Sequence, residues 1–270
     1  MKKAVYTVVF LDCIYIAVAS LATLLSFIPY LSLAVRYAAF LIPIVILVFL
    51  IKGGEYDGKI NLLPDREGLL LTLPFAVPSV LLVMGISFLT SLLMSLFNAP
   101  VQTPPSFDFF GAFTLHALLP AVGEELIFRF IPLVLLAPHS KKSAVVISTL
   151  LFAFVHGDPY QIPYAIVAGA VYMALTVATD SVIPSIILHL FNNTVAILWQ
   201  CVLVPGGLWS YALCVMGVLL LVSAIAVWLM RGKYKSRFSF FADKTDRVEL
   251  PVILIAPIGI GIILAFTSML

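Results

Sequence analysis

Glu124-Glu125-x-x-x-Arg129 places three charges inside an apolar run that extends from Phe109 to Leu136. The chain is 63% hydrophobic and only 10% charged, the composition of a membrane protein. An ionisable residue at mid-span costs at least ~2.5–3.5 kcal/mol, so these side chains must face protein, water or a counter-charge. On a helix, Glu125 and Arg129 are four apart and share a face, which lets them pair. Glu124 is turned about 100° away around the axis and has no partner on its own helix. One carboxylate is thus expected to be tied down and the other free to work. Two more pairs follow, each in its own apolar run: Phe152 with His156, and His189 with Asn193. A single buried histidine is more often a packing residue than a functional one. Three ionisable residues from three runs, Glu124, His156 and His189, are most economically satisfied around one pocket.

That set suits hydrolysis. Partial desolvation makes a carboxylate a better general base near neutral pH. A histidine can orient the same water. A second histidine and an asparagine can donate to the oxyanion of a tetrahedral intermediate. The sequence contains no HExxH helix, no GxSxG nucleophile elbow, no GxGxxG and no P-loop.

In their order and spacing, Glu124-Glu125-x-x-x-Arg129, Phe152-x-x-x-His156 and His189-x-x-x-Asn193 resemble the three motifs of the CPBP family. That family holds the Rce1-type CAAX prenyl proteases and the bacterial bacteriocin-processing and self-immunity membrane proteins. The resemblance covers about residues 109–203, and no motif position departs from the family pattern. It implies that Glu124 and His156 activate water and that His189 and Asn193 form the oxyanion site. Glu125, Arg129 and Phe152 would support them. The word metalloprotease is used within this family, and Glu124, His156 and His189 could in principle make an open three-ligand zinc site. A site with no metal or other cofactor is nevertheless expected. Each histidine comes from a separate run, asparagine is a poor zinc ligand, and no carboxylate lies one turn from either histidine to act as its outer acceptor.

The elements that must position these residues are apolar helices. A span needs ~20 residues, and the chain offers about nine runs: 4–28, 31–51, 69–97, 109–137, 143–157, 161–179, 182–203, 208–230 and 250–270. The fold class expected is all-α, a polytopic transmembrane bundle. It divides into residues 1–108 (spans 1–3), 109–203 (the catalytic core, spans 4–7) and 204–270 (spans 8–9). Thirteen of the fifteen Lys and Arg residues fall in alternate connections; Arg36 and Arg129 are the exceptions. The positive-inside rule then puts the N-terminus in the cytoplasm and the C-terminus outside. The charged stretches 52–68 and 231–249 read as cytoplasmic loops, and Pro104-Pro105 as a turn on the other side. Met1-Lys2-Lys3 and Ala17-Val18-Ala19 have signal-peptide character, but Asp12 and the unbroken run to Ile28 favour a retained span. The fifth run is short and ends at Gly157-Asp158-Pro159, so runs five and six are expected to form a hairpin whose tip borders a hydrated pocket. Asp12, Asp158 and Asp180 read as end or cap residues, His116 as structural and His139 as interfacial. Asn192 reads as a partner of a neighbouring helix. Trp209, Trp228, Tyr30 and Tyr211 read as interfacial anchors. Cys13, Cys201 and Cys214 form no motif.

The activity expected is intramembrane endopeptidase cleavage of a membrane-associated or lipidated polypeptide, with the lipid bilayer as the second partner and no nucleic acid. A non-catalytic scaffold or immunity protein using the same pocket is the alternative. A transporter fits less well, because neither inverted repeats nor paired broken helices are visible.

Overall fold

The structure, a computed structural model, describes residues 1–56, 63–96, 109–203 and 205–267. Lys59 and the Pro104-Pro105 turn lie outside the described residues, which contain helices and turns and no strand. Helices α1 (Lys2–Leu24) and α2 (Pro29–Lys52) form an antiparallel pair, followed by α3 (Arg66–Leu96). Helix α4 is a composite over 109–135. Its α-helical pieces Phe109–Ala112, Leu119–Glu125 and Ile131–Leu135 alternate with the π-helical segments Phe113–Leu118 and Leu126–Phe130. Then come α5 (Lys141–Val155), α6 (Ile162–Thr179), α7 (Ile183–Leu198, continued by a π-helical turn, Trp199–Leu203), α8 (Trp209–Leu229), the short α9 (Arg231–Arg237) and α10 (Ile255–Thr267).

A helix therefore lies in each of the nine expected runs. Six are long and apolar enough to cross a membrane: α1, α2, α3, α6, α7 with its extension, and α8. The chain is an all-helical integral membrane protein. Of the remaining three, α4 is interrupted, α5 has 15 residues and α10 has 13. The 231–249 stretch, expected to be a loop, holds α9 and a 3-10 turn at Ser239–Phe241.

Local chemistry explains the helix ends. Proline stands in the first turn of α2, α6 and α7, where its missing N–H is not needed. Ser140 caps α5 by accepting from the Ser143 N–H at 2.9 Å. Helix α6 stops at Asp180, which takes a left-handed φ of 51°, as expected of a cap residue. Asp158 accepts from the Tyr160 N–H and from Gln161 Nε2, both at 2.8 Å, fixing the α5–α6 turn. Asp12 departs from the end-residue expectation. It lies mid-way along α1, 2% exposed, and neither carboxylate oxygen has a hydrogen-bond partner among the described residues.

The hub is α4, which touches α1 and α2 on one flank and α5, α6 and α7 on the other. Helix α3 packs on α6 and α7, α8 on α3, and α10 on α5. Polar cross-links join the basic connections to one another. Lys3 pairs with Glu55, Arg237 with Asp65, and Lys233 Nζ with Glu67 Oε1 at 2.7 Å. The Lys142 N–H donates to Asp246 at 3.1 Å. The Arg237 guanidinium and the Gly68 N–H both bond Asp65 and hold its carboxyl below the usual range. Trp209, Trp228, Tyr30 and Tyr211 are exposed, as interfacial anchors require.

Candidate active site

The site forms where α4, the end of α5, and α7 meet. The α4 backbone is shaped there by two prolines. Pro132 has no N–H to give to the Phe128 carbonyl, its acceptor in a regular helix. The Ser148 hydroxyl of α5 donates to that carbonyl instead. The π-helical segment Leu126–Phe130 lies just before this point, directly after the two glutamates. Pro120 stands one turn before Glu124, in the first turn of the piece Leu119–Glu125.

Glu125 and Arg129 are both 0% exposed, and Glu125 Oε2 lies 3.2 Å from Arg129 Nε. The pair is ionic without an aligned hydrogen bond, since none of the three guanidinium nitrogens has a hydrogen-bond partner among the described residues. The guanidinium lies over the Phe152 ring, 3.9 Å from its centroid, with the Tyr172 ring at 5.5 Å. The other Glu125 oxygen, Oε1, lies 2.8 Å from His189 Nδ1. The carboxylate expected to be tied down is held twice, by Arg129 within its helix and by His189 from α7. Phe152 joins the groups. Its ring meets His156 edge-on at 4.9 Å and His189 at 6.0 Å.

Partners fix the tautomers. A carbonyl only accepts, so His156 Nδ1, 2.7 Å from the Phe152 carbonyl oxygen, carries a proton. In the neutral ring its Nε2 is then an acceptor. His189 likewise turns Nδ1–H to the Glu125 carboxylate. Both histidines thus have outer acceptors, although neither has a carboxylate one turn away within its own span. One is the backbone one turn earlier and the other a carboxylate from another helix, and neither relation shows as a one-turn spacing of side chains. These are arrangements that metal-bound histidines also use. Glu124, His156 and His189 nevertheless do not come together as a ligand set. Among the described residues no group of three or more His, Cys, Asp or Glu side chains could hold a metal ion.

Glu124 is half-buried and forms no ion pair with Arg129 among the described residues. Its Oε2 stands 4.0 Å from His189 Nε2. It also lines a cavity of about 170 Å³ between α1, α2 and α4. Glu124 is therefore the residue at which the cavity comes nearest His189. The α5–α6 tip was expected to border a hydrated pocket, but none of its residues lines this cavity. The turn at Gly157, with φ of 56°, is packed against Leu264 of α10. Asn193 is half-buried and makes no hydrogen bond among the described residues. Asn192 is buried and donates to the Tyr172 hydroxyl on α6, the neighbour-helix role expected of it.

Three neighbours of the site carried no sequence signal. Tyr172 packs 5.5 Å from His189. Tyr15 stacks on Phe40 at 5.4 Å and meets Phe128 edge-on at 5.6 Å. Phe40 lies against Gly123, where a Cβ would stand 2.5 Å from the ring. Aromatic residues in apolar runs look like packing residues, and nothing local marks these as different.

Residues 106–195 match the family model of the type II CAAX prenyl endopeptidase Rce1-like proteins. No curated protein and no solved structure matches the chain. The matched segment contains Glu124, His156, His189 and Asn193, and leaves out α1–α3 and α8–α10. Over 106–195, then, the chain matches the same CAAX protease family that its three motifs resemble.

Proposed function

We propose that the protein is an intramembrane endopeptidase that hydrolyses a peptide bond in a membrane-associated or lipidated polypeptide. The observation that carries this reading is the division of labour between adjacent carboxylates. Glu125 is held by Arg129 and His189, whereas Glu124 borders a cavity and makes no hydrogen bond among the described residues. A water held by Glu124 and the free Nε2 of His156 attacks the scissile carbonyl, and Glu124 takes the proton. His189, as the imidazolium, donates from Nε2 to the oxyanion, with the Asn193 amide as the second donor. The proton on Glu124 then passes to the leaving amine. Burial of Glu125 and Arg129 keeps His189 aimed during these steps. A match to a protease family disfavours the scaffold alternative.

Incubating the purified protein in bilayers with a peptide library, and reading fragments by mass spectrometry, tests the reading. Fragments should appear with the wild type and be absent with Glu124→Ala. Peptide binding with no cleavage by the wild type would restore the scaffold alternative. We also hold the attacking water to be metal-free. Exhaustive chelation should leave turnover unchanged. Stoichiometric zinc, with activity lost on its removal and regained on its return, would recast Glu124, His156 and His189 as ligands.

A further inference from the structure

The cavity beside Glu124 is built largely by helices outside the matched segment. Tyr15 and Thr23 come from α1, Arg36 and Phe40 from α2, and Leu115 from α4 joins Glu124. Arg36 is the one cation among these lining residues, and Glu124 the one carboxylate. No ion pair of Arg36 within 4.0 Å is found among the described residues. Arg36 is the eighth residue of α2, which begins at Pro29. It therefore sits ~10 Å along the helix axis, at 1.5 Å per residue. A 24-residue helix is ~36 Å long against a hydrocarbon core of ~30 Å, so an upright helix centred on that core places the Arg36 backbone several ångströms below the headgroups. Arg36 is exposed there, and a guanidinium at that depth either reaches up to the headgroups or takes a counter-charge.

We infer that Arg36 is a specificity-determining residue that binds a carboxylate of the substrate, while an adjoining apolar side chain rests on Phe40 and Leu115. The planar fork of the guanidinium matches a carboxylate in two parallel hydrogen bonds. At about 170 Å³ the chamber takes one or two side chains, not a whole peptide. Glu124 on the same cavity repels an anion at its own end, so the negative group is directed to the Arg36 end. The peptide is thereby oriented with an acidic group on one side of the bond to be cut. Its meaning for cleavage rests on the protease reading above; the binding itself does not.

The test uses the full chain carrying Glu124→Gln, in nanodiscs of a zwitterionic phospholipid. Three pools of labelled apolar octapeptides are titrated. One has a free C-terminal carboxylate, one is amidated and carries a single glutamate, and one is amidated with glutamine at that position. At least one carboxylate pool should bind roughly tenfold tighter than the glutamine pool, as charge-assisted hydrogen bonds would give. Which of the two does so tells a chain end from a side chain. Adding Arg36→Gln should erase the difference, with an unchanged melting temperature. Equal affinities for all pools, or a preference that survives Arg36→Gln, overturns the proposal. Loss of affinity for anionic phospholipid vesicles on Arg36→Gln, without peptide discrimination, assigns Arg36 to the lipid and overturns it too. If the pools discriminate but the wild type cleaves nothing, the protease reading fails and the Arg36 site stands.

Discussion

At the scale of single residues, the charges inside the bundle divide into paired and unpaired. Arg129 is fully buried, with Glu125 as its counter-ion and Phe152 beneath its plane. Removing one member of a buried pair leaves an uncompensated charge and typically costs ~3–5 kcal/mol. Arg129→Leu should therefore lower the melting temperature in detergent sharply, and a near-native melt would mean that the pair contributes little. Asp12 is the opposite case: 2% exposed, with no hydrogen-bond partner for either oxygen among the described residues. Asp12→Leu replaces the unpartnered polar group by an apolar one of similar size, so it should raise stability by ~1–3 kcal/mol. A fall in the melting temperature would reveal a role for the carboxylate itself. The Glu125–Arg129 pair was legible because helical spacing is local. The Glu125–His189 contact was not, since it joins residues 64 positions apart. Asp12 was misread as an end residue because the run around it gave no sign of which face would be covered.

At the scale of elements, α4 depends on its neighbours to satisfy a backbone broken by proline. The Ser148 hydroxyl serves the Phe128 carbonyl that Pro132 cannot. Ser148→Ala should cost ~1–3 kcal/mol, the penalty for a buried acceptor left without a donor. The same loss in a Pro132→Ala background should be smaller, because a regular helical N–H then becomes available; equal losses in both would sever the link between the two residues. Gly123 meets the Phe40 ring so closely that Gly123→Ala must displace it. A loss of ~1–3 kcal/mol is expected from overpacking, with partial recovery when Phe40→Leu is added. Both prolines and the glycine are visible in the sequence, but their consequences are not. The π-helical turns and the ring against Gly123 follow from packing between helices. The short α5 was legible from Lys142 and Asp158 at its ends, whereas the α10 contact at Gly157 was not.

At the scale of the whole molecule, the distribution of Lys and Arg gave the clearest sequence signal. The ion pairs among residues 3, 55, 65, 67, 233 and 237 tie basic connections together, as segregation to one side requires. With Cys13, Cys201 and Cys214 replaced, a cysteine placed beside Lys235 should react with a membrane-impermeant reagent only after the cytoplasm is opened; all three native thiols are exposed and would obscure the result. Labelling in intact cells would invert the assigned orientation. The apolar runs and the three motifs were readable because both are local in sequence. The cavity was not, because its walls come from α1, α2 and α4 together. At the centre is the claim that Glu124 works while Glu125 holds. The most direct measurement compares cleavage and melting temperature for Glu124→Ala and Glu125→Ala in the same bilayer preparation. Glu124→Ala should melt near the wild type and release no fragments, while Glu125→Ala should melt far lower. A Glu124→Ala protein that unfolds, beside a Glu125→Ala protein that melts normally and has lost only turnover, would contradict the assignment.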